Sequence, residues 1–309
     1  MTAQITPSRK TGRPKGYIQN YQPQAKTKAL LDAVQMVLDE YRAHWPLTIR
    51  QVFYRLVGAY GYPKDESFYS RLIDHVGNAR RGRVIPFDAI RDDGVTTYRL
   101  DHFNDQDHFL RYVRELGENY HRNMLASQPR HIEVWCEAAG MLQQISKVTR
   151  DYSIRAYSSG GFDSVTAKKD LADRICDLGK PAVIIHLGDY DPSGKSMFDV
   201  IAEDVSAFVE ADRPWNSITV DFLRVALTDV QVAMYRLPTV PPKKSDSRTA
   251  KWVGETCQLE ALSPDMIATI LRGAIVDLLN PDQLNHDRVM EEFERNQISY
   301  ALPAPRGDA

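Results

Sequence analysis

The stretch AVIIHLGDYDPSG, residues 182–194, decides the fold. Its first seven residues are mostly apolar and favour a β-strand inside a sheet that is covered on both faces. The strand ends directly in an acidic turn, DYDPSG, in which proline and glycine favour a tight bend. This pattern predicts a parallel sheet with a functional site at its edge, because ligands bind outside the carboxyl ends of such strands.

Strand and helix patterns alternate across residues 126–309. Apolar runs predict strands and the amphipathic runs between them predict helices of an α/β domain. The strands are predicted at 132–136, 153–157, 182–188 and 217–227, and the helices at 138–149, 164–178 and 196–210. This order predicts a mostly parallel, Rossmann-like sheet with helices on both faces, followed by helices near 264–279 and 283–295.

Acidic residues follow two of the predicted strands directly. Glu137 comes after the strand IEVWC, and Asp189 and Asp191 come after AVIIHLG. Three carboxylates at one edge would repel one another unless a cation lay between them, and oxygen ligands suit Mg²⁺ or Mn²⁺. Such an ion neutralises charge that develops on a phosphoryl oxygen. The alternative is structural, since an Asp-x-Asp turn can simply cap the helix that follows.

Two nucleotide-binding motifs are excluded by their spacing. The run PSGKS, residues 192–196, resembles the end of a phosphate-binding P-loop, but Asp189 occupies the position of the first glycine. Carboxylates in that loop would also repel the phosphates. The first predicted strand is followed by EAAG, residues 137–140, and not by GxGxxG. The sequence therefore predicts no ATP site and no dinucleotide site.

Charge is divided unevenly along the chain, although the net charge is only −2. Residues 1–91 carry 15 Lys or Arg and 7 Asp or Glu, a balance of +8, whereas the remaining residues carry 24 and 34, a balance of −10. A basic front half favours a polyanion such as double-stranded DNA. Residues 1–27 are predicted to be a flexible basic arm, in which Arg13-Pro14, flanked by Gly12, resembles the minor-groove arm of an AT-hook. Arg13 and Lys15 of this arm are predicted to contact nucleic acid. A solvated tail is the alternative.

Residues 28–125 are predicted to form a winged-helix DNA-binding domain. Apolar residues follow helical spacing over 26–44, a second helix follows the N-cap Thr48, and a third begins near Asp65. Two short extended pieces around the turn at 93–94 would complete the domain. A plain helical bundle is the alternative.

The third of these helices would lie in the major groove of DNA, and basic residues at its end would contact phosphates. A proline-broken basic loop near residue 243 offers further positive charge. The residues predicted to contact nucleic acid are Arg71, Asn78, Arg80, Arg81, Arg83, Lys243 and Lys244.

Arg50 and Tyr54 are four residues apart on the second predicted helix and therefore share a face. A tyrosine hydroxyl has a pKa of about 10 and is a poor nucleophile unaided. A nearby guanidinium would stabilise both the phenolate and the attacked phosphate. On spacing alone, an ordinary helix surface is the alternative.

With these residues in place, the chain resembles the A-subunit family of topoisomerase VI, which includes the meiotic double-strand-break protein. The family's tyrosine motif runs Arg, acid, aliphatic, aromatic, Tyr, and residues 50–54 are RQVFY. Its Toprim signature is a glutamate after the first strand and a later Asp-x-Asp-Pro-x-Gly turn, which Glu137 and residues 189–194 match. Gly160-Gly161 also fits the small strand-end loop of Toprim sheets. The resemblance covers about residues 30–225.

The resemblance implies a CAP-like winged helix joined to a Toprim domain, and Mg²⁺-dependent cleavage of DNA by transesterification. Tyr54 would attack a phosphodiester and form a 5′-phosphotyrosyl link, while Arg50 would stabilise charge at the phosphate. Glu137, Asp189 and Asp191 would hold Mg²⁺ beside the leaving 3′ oxygen. The family builds each active site from two protomers, so a homodimer with one cut on each strand is implied.

Some features depart from the family pattern. Gln51 stands where an acid is usual, and Ala138 follows Glu137 where relatives often have lysine. The chain is shorter than a standard A subunit, and its tail is similar to compact stand-alone versions on mobile elements, so the need for an ATPase B-type subunit stays open. Two rival classes also stay open: a Toprim nuclease that hydrolyses DNA with metal-activated water, and a non-catalytic winged-helix DNA-binding protein.

The sequence also bears on the compartment of the protein. No run approaches the ~20 apolar residues that span a bilayer, and the first ten residues lack the apolar stretch of a secretory signal. Cys136, Cys176 and Cys257 form no CxxC pair, so neither a disulfide framework nor a cysteine zinc site is expected. We expect a cytoplasmic, nucleoid-associated protein with no membrane partner.

Overall fold

Residues 18–91, 102–158, 165–215, 218–242 and 252–302 are the part of the chain that the computed structural model describes. The chain divides into two units, residues 1–92 and residues 93–309. This division lies earlier than the domain boundary at residue 125 that the sequence suggests. The helix that follows the division groups with the second unit because it packs against the last helix of the chain.

The first unit contains the three helices that the sequence predicts. They are α1 (Ala25–Glu40), α2 (Ile49–Tyr60) and α3 (Glu66–Arg81), and a short 3-10 helix at Arg42–His44 follows α1. Each helix buries one apolar face, whose side chains include Leu31, Val34, Leu38, Val52, Leu56, Phe68, Leu72 and Val76. The prediction of three amphipathic helices is confirmed.

Polar residues set the beginnings of α2 and α3. Thr48 Oγ1 accepts a hydrogen bond from Gln51 N at 3.1 Å, and Gln51 Oε1 accepts one from Thr48 N at 2.9 Å, which forms a capping box. Asp65 Oδ1 accepts from Phe68 N at 2.6 Å at the start of α3. Gly61 ends α2 with a φ of 69°, in the left-handed region that glycine adopts without strain.

Two short strands, β1 (Leu47–Thr48) and β2 (Ile90–Arg91), pair in parallel in the first unit. Leu47 pairs with Ile90, and both side chains are buried. The second extended piece of the predicted hairpin, beyond the turn at 93–94, lies outside the described residues. The hairpin of the winged-helix arrangement therefore stays a prediction.

The second unit is built on a four-stranded parallel sheet. In the order in which they lie, its strands are β4 (Arg155–Ser158), β3 (His131–Cys136), β5 (Ala182–Leu187) and β6 (Val220–Ala226). All residues of β5 are buried, and successive side chains of a strand point to opposite faces, so both faces of the sheet are covered here. The predicted α/β class and parallel sheet are confirmed.

The second unit also contains helices, some of which cover the sheet. Within the described ranges they are α4 (Gln106–Glu118), α5 (Leu142–Thr149), α6 (Val165–Leu178), α7 (Pro192–Asp212), α8 (Asp229–Met234), α9 (Pro264–Val276) and α10 (Pro281–Ala301). Leu171 and Ile175 of α6 and Val205 of α7 pack with Trp135 and Ile184 of the sheet, while α5 contacts β3 and α9. None of the described helices combines the length and the apolar character that a membrane crossing requires.

A buried carboxylate, Glu133, links β3 to α6. Its oxygens accept hydrogen bonds from Arg174 Nε at 2.9 Å and Nη2 at 3.0 Å, and from Trp135 Nε1 at 3.1 Å. Burial alone would raise the pKa of Glu133, but the hydrogen bonds and charges of His131 and Arg174 outweigh it and hold the pKa below its usual value. The side chain therefore stays ionised inside the unit.

Candidate functional site

Glu137 and the Asp189 turn meet at the carboxyl edge of the sheet. Strands β3 and β5 are neighbours, with Cys136 paired to Leu187, so the residues directly after them lie side by side. Asp189 N donates a hydrogen bond to Glu137 Oε2 at 3.0 Å. The structure thus brings together two acids that are 52 residues apart in the sequence.

Asp191 caps helix α7. Its Oδ1 accepts a hydrogen bond from Gly194 N at 2.6 Å, and Pro192 occupies the first turn, where its missing N–H is no loss. The structural alternative for this turn is therefore observed, and α7 begins at Pro192 and not near Ser196 as predicted. The same oxygen and Glu137 both lie close to Gly194. Asp191 Oδ1 and Glu137 Oε2 lie 3.3 Å and 3.2 Å from the point where a β-carbon on Gly194 would stand.

Two glycines allow Glu137 and the turn to lie close to the backbone at this edge. A β-carbon on Gly188 would lie 2.6 Å from Glu137 Oε2 and 2.6 Å from His186 Cε1. A β-carbon on Gly194 would lie 2.9 Å from Asp189 O. Real β-carbons avoid such distances, so a larger residue at either position would displace the acids or the turn.

A segment near the C-terminal end of the unit, residues 256–259, holds the Asp189 turn from another side. Tyr190 N donates to Cys257 O at 2.8 Å, and Cys257 N donates to Tyr190 O at 2.9 Å, which forms an antiparallel bridge. Leu259 N donates to Asp189 Oδ1 at 2.8 Å. Sequence reasoning missed this segment, since no feature of residues 256–259 signals contact with a turn 70 residues earlier.

Arg224 also contacts the Asp189 turn and was also missed. It lies on β6 and pairs in register with His186 of β5. Its Nη2 donates to Asp189 O, and its Nε donates to Leu227 O at 3.3 Å. An arginine inside the predicted strand 217–227 was a signal that could have found it, because strands of a covered parallel sheet are mostly apolar.

Burial and the neighbouring acids destabilise the charged form of Glu137. Burial is the main reason that the pKa of Glu137 rises to about 7, and the charges of Asp189 and Asp191 add to the rise. The hydrogen bond from the Asp189 amide and the positive charge of Arg224 act in the opposite direction. Burial in turn lowers the pKa of Arg224. The edge thus gathers negative charge that its own groups offset only in part.

The donor chemistry of this edge fits a hard divalent cation. Glu137, Asp189 and Asp191 offer only oxygen atoms, which Mg²⁺ and Mn²⁺ prefer. As they stand, no three His, Cys, Asp or Glu side chains in the described part of the chain are arranged to hold a metal ion. Asp189 Oδ1 and Asp191 Oδ1 already accept backbone hydrogen bonds. Cation binding therefore requires the carboxylates to adjust.

Tyr54 and Arg50 lie on α2 in the first unit. Tyr54 is buried, with 5% of its surface exposed, and the Lys64 ammonium lies 5.7 Å from its ring centre. The Arg50 guanidinium lies 5.7 Å from the ring centre of Tyr69. Gln51, which replaces the acid of the family motif, is fully buried and completes the cap of α2. A buried tyrosine must become accessible before its hydroxyl can attack a phosphate.

Arg80 has a structural role that the prediction of phosphate contact did not include. Its Nη2 donates to Phe87 O at 3.2 Å and to Ile90 O at 3.0 Å. Its guanidinium also lies 4.7 Å from the ring centre of Phe87. Arg80 therefore ties the segment after α3 to the end of that helix.

The other predicted nucleic-acid residues differ in their surroundings. Arg71 is exposed on α3 and donates to Ser67 Oγ at 2.7 Å. Asn78 and Arg81 are partly exposed, and Arg83 is exposed just beyond the helix. Arg13, Lys15, Lys243, Lys244 and Gly160-Gly161 lie outside the described residues.

The site is thus defined by residues of this chain: acids from two strand ends, hydrogen bonds from Arg224 and a bridge from Cys257. When the chain was compared with known proteins, no family model, no curated protein and no solved structure matched it.

Proposed function

We propose that this protein cleaves double-stranded DNA by a cation-dependent transesterification like that of the topoisomerase VI A-subunit family. One observation carries the proposal. Glu137 accepts a hydrogen bond from Asp189 N, and Glu137 Oε2 and Asp191 Oδ1 lie 3.2 Å and 3.3 Å from the β-carbon position of Gly194, so three acidic residues are gathered at the carboxyl edge of a parallel sheet. Ligands of such sheets bind at this edge. Clustered carboxylates are suited to a cation that handles phosphate groups.

In this proposal the three carboxylates hold Mg²⁺, or Mn²⁺ in its place. The bound ion would supply positive charge at the phosphoryl and leaving oxygens of the DNA. Glu137, Asp189 and Asp191 would orient it, and the absence of side chains at Gly188 and Gly194 lets Glu137 lie close to the turn. We propose no ATP site in this chain, because the loop at residues 189–196 lacks the first glycine of a P-loop.

Tyr54 is the proposed nucleophile. Its Oη would form an ester bond to the phosphorus, the bond to the 3′ oxygen would break, and the protein would stay linked to the 5′ phosphate. The tyrosine proton would pass to solvent, and the departing 3′ oxygen would take a proton from solvent, so that no net proton is consumed. Arg50 would stabilise charge at the attacked phosphate. Because Tyr54 is buried, the proposal requires that DNA binding expose its hydroxyl.

The proposal extends to the architecture and the partners of the protein. The first unit would act as a winged-helix domain and the second as a Toprim domain, and a homodimer would cut both strands. The three helices of the first unit and the parallel sheet of the second support this assignment. Nucleoid association belongs to the same proposal, and the need for an ATPase B-type subunit stays open.

A second candidate, hydrolysis by cation-activated water, is favoured by one observation. Tyr54 has only 5% of its surface exposed, which suits a core residue better than a nucleophile. A hydrolase would use the same carboxylates and would leave no covalent link to the DNA.

Denaturant trapping tests the proposal. The full chain is incubated with end-labelled duplex and Mg²⁺ and is then denatured rapidly, and the products are separated with and without protease digestion. A transesterase gives labelled DNA that stays attached to protein until digestion. Free fragments support the hydrolase, and intact DNA in every condition contradicts both. Parallel reactions with excess EDTA should give intact DNA.

A further inference from the structure

Arg224 contacts two backbone segments that converge beside the carboxylates. Its Nη2 donates to Asp189 O, in the turn after β5, and its Nε donates to Leu227 O, just after β6, at 3.3 Å. Its Nη1 is buried and has no hydrogen-bond partner among the described residues. The guanidinium therefore joins the end of β6 to the turn that carries Asp189 and Asp191.

The neighbouring backbone shows why this join matters for the acids. Arg224 donates to the carbonyl oxygen of Asp189. The N–H of Asp189 in turn donates to Glu137 Oε2 at 3.0 Å. Leu259 N holds the Asp189 side chain at 2.8 Å. The amide and the carboxylate of Asp189 are thus held by different segments, and its carbonyl accepts from Asp191 N at 3.1 Å and from the side chain of Arg224.

We propose that Arg224 is a positioning residue that prepares the carboxylate edge for a divalent cation by clamping the Asp189 turn to β6. The inference rests on the proposed cation-dependent function. The property that matters is the planar fork of the guanidinium, which reaches two carbonyl oxygens at once in a fixed geometry. Residues that orient metal ligands without touching the metal typically affect metal affinity about 10–100-fold.

Two possible roles of Arg224, a clamp on the turn and a positive charge, predict opposite effects of its substitution on cation affinity. A positive charge beside the acids repels an incoming cation, so a role of the charge alone predicts tighter cation binding when the charge is removed. A clamp predicts weaker binding, because the carboxylates lose their orientation. Lysine keeps the charge but is a single point donor that cannot hold both carbonyls in the same way.

Direct binding of Mn²⁺ to the full chain separates these roles. The paramagnetic resonance signal of free Mn²⁺ is measured during titration of wild type, Arg224→Lys and Arg224→Met. Arg213→Met is the matched control, because Arg213 Nη2 donates to a backbone carbonyl, Cys176 O, at 2.6 Å in the same unit. We expect both Arg224 variants to bind Mn²⁺ at least about tenfold more weakly than wild type. The Arg213 variant should match wild type.

Several results would overturn the inference. They are wild-type affinity in Arg224→Lys, tighter binding by Arg224→Met, or equal loss in the Arg213 control. If wild type binds Mn²⁺ and the Arg224 variants bind it equally well, the positioning role is wrong but the proposed function stands. If wild type binds no Mn²⁺, both are wrong. Amide hydrogen exchange of the wild-type protein with and without Mn²⁺ is a second test that needs no variant. Mn²⁺ should slow the exchange of residues 188–191 and of residues 225–228 together. Slowing at 188–191 alone would also overturn the clamp.

Discussion

Asp191 caps α7 through Oδ1, which accepts a hydrogen bond from Gly194 N. Capping is the observed use of this carboxylate, and cation binding is the proposed one. Asparagine caps a helix about as well as aspartate but carries no negative charge. Replacement by asparagine thus separates the two uses at the level of a single residue.

We expect Asp189→Asn and Asp191→Asn to abolish DNA cleavage and to leave duplex binding nearly unchanged, because each removes one cation-binding charge and keeps the shape. Cleavage of labelled duplex and its binding by fluorescence anisotropy are the measurements. Asp173→Asn, in an exposed pair with Lys169, is the control that should cut normally. Full cleavage by both site variants would contradict the carboxylate assignment.

A substitution at Gly188 tests whether the position of Glu137 matters for cation binding. In Gly188→Ala the new β-carbon would lie 2.6 Å from Glu137 Oε2, so the glutamate must move away from the turn. We expect Gly188→Ala to bind Mn²⁺ at least about tenfold more weakly, because the loss of ligand orientation typically lowers metal affinity by that much. Gly273→Ala, in α9, meets no atom within 4 Å and should stabilise the helix by about 0.5–1 kcal/mol without affecting Mn²⁺. Equal Mn²⁺ affinity in both variants would show that Glu137 does not bind the ion.

Local signals in the sequence were enough to predict most helices and strands. Thr48 and Asp65 begin helices as capping residues should, and the apolar run at 182–187 forms a buried strand. Apolar character alone does not place every side chain of α3. Ile73 is apolar but 44% exposed, because the buried face follows Phe68, Leu72 and Val76 at intervals of four residues.

Contacts between distant segments could not be predicted in the same way. Glu137 and Asp189 were expected to meet, because the carboxyl ends of parallel strands share an edge. Arg224 and residues 256–259 were missed because their contacts with the turn depend on tertiary packing and not on a local pattern. The burial of Tyr54 was missed for the same reason, since spacing alone cannot tell a core tyrosine from an accessible one.

The ionised Glu133 makes the link between β3 and α6 sensitive to pH. Its pKa is lowered in the folded protein, so its contribution to stability is complete above the unfolded pKa of about 4.3 and is lost as the pH falls through the lower folded value. We expect Glu133→Gln to destabilise the protein at neutral pH by about 3 kcal/mol, because Arg174 loses its charged partner. Urea unfolding at pH 7 and below pH 4 measures both effects. A stability difference that does not shrink in acid would contradict this account.

For the whole molecule, the uneven charge predicts salt-dependent DNA binding through the first unit. Each lost phosphate contact should reduce the slope of log affinity against log salt by about 0.9. We expect the double variant Arg81→Gln, Arg83→Gln to bind all duplexes more weakly with a slope shallower by about 2. Removal of residues 1–17 should weaken binding more on A·T-rich duplexes.

The matched control is the double variant Arg111→Gln, Arg155→Gln, which removes the same charge from exposed positions of the second unit. Fluorescence anisotropy over a range of salt concentrations gives the slopes. If both double variants change the slope equally, net charge and not contact by the first unit governs binding.

The most direct test of the central claim is the covalent link between Tyr54 and DNA. Tyr54→Phe keeps the buried ring and removes only the hydroxyl oxygen, and Tyr69→Phe removes the same atom from α3 as a control. Each protein is incubated with labelled duplex and Mg²⁺, denatured rapidly and examined for DNA attached to protein. We predict that wild type and Tyr69→Phe give the adduct and that Tyr54→Phe gives neither adduct nor cleavage. Cleavage by Tyr54→Phe at the wild-type rate would contradict the tyrosine assignment and support hydrolysis.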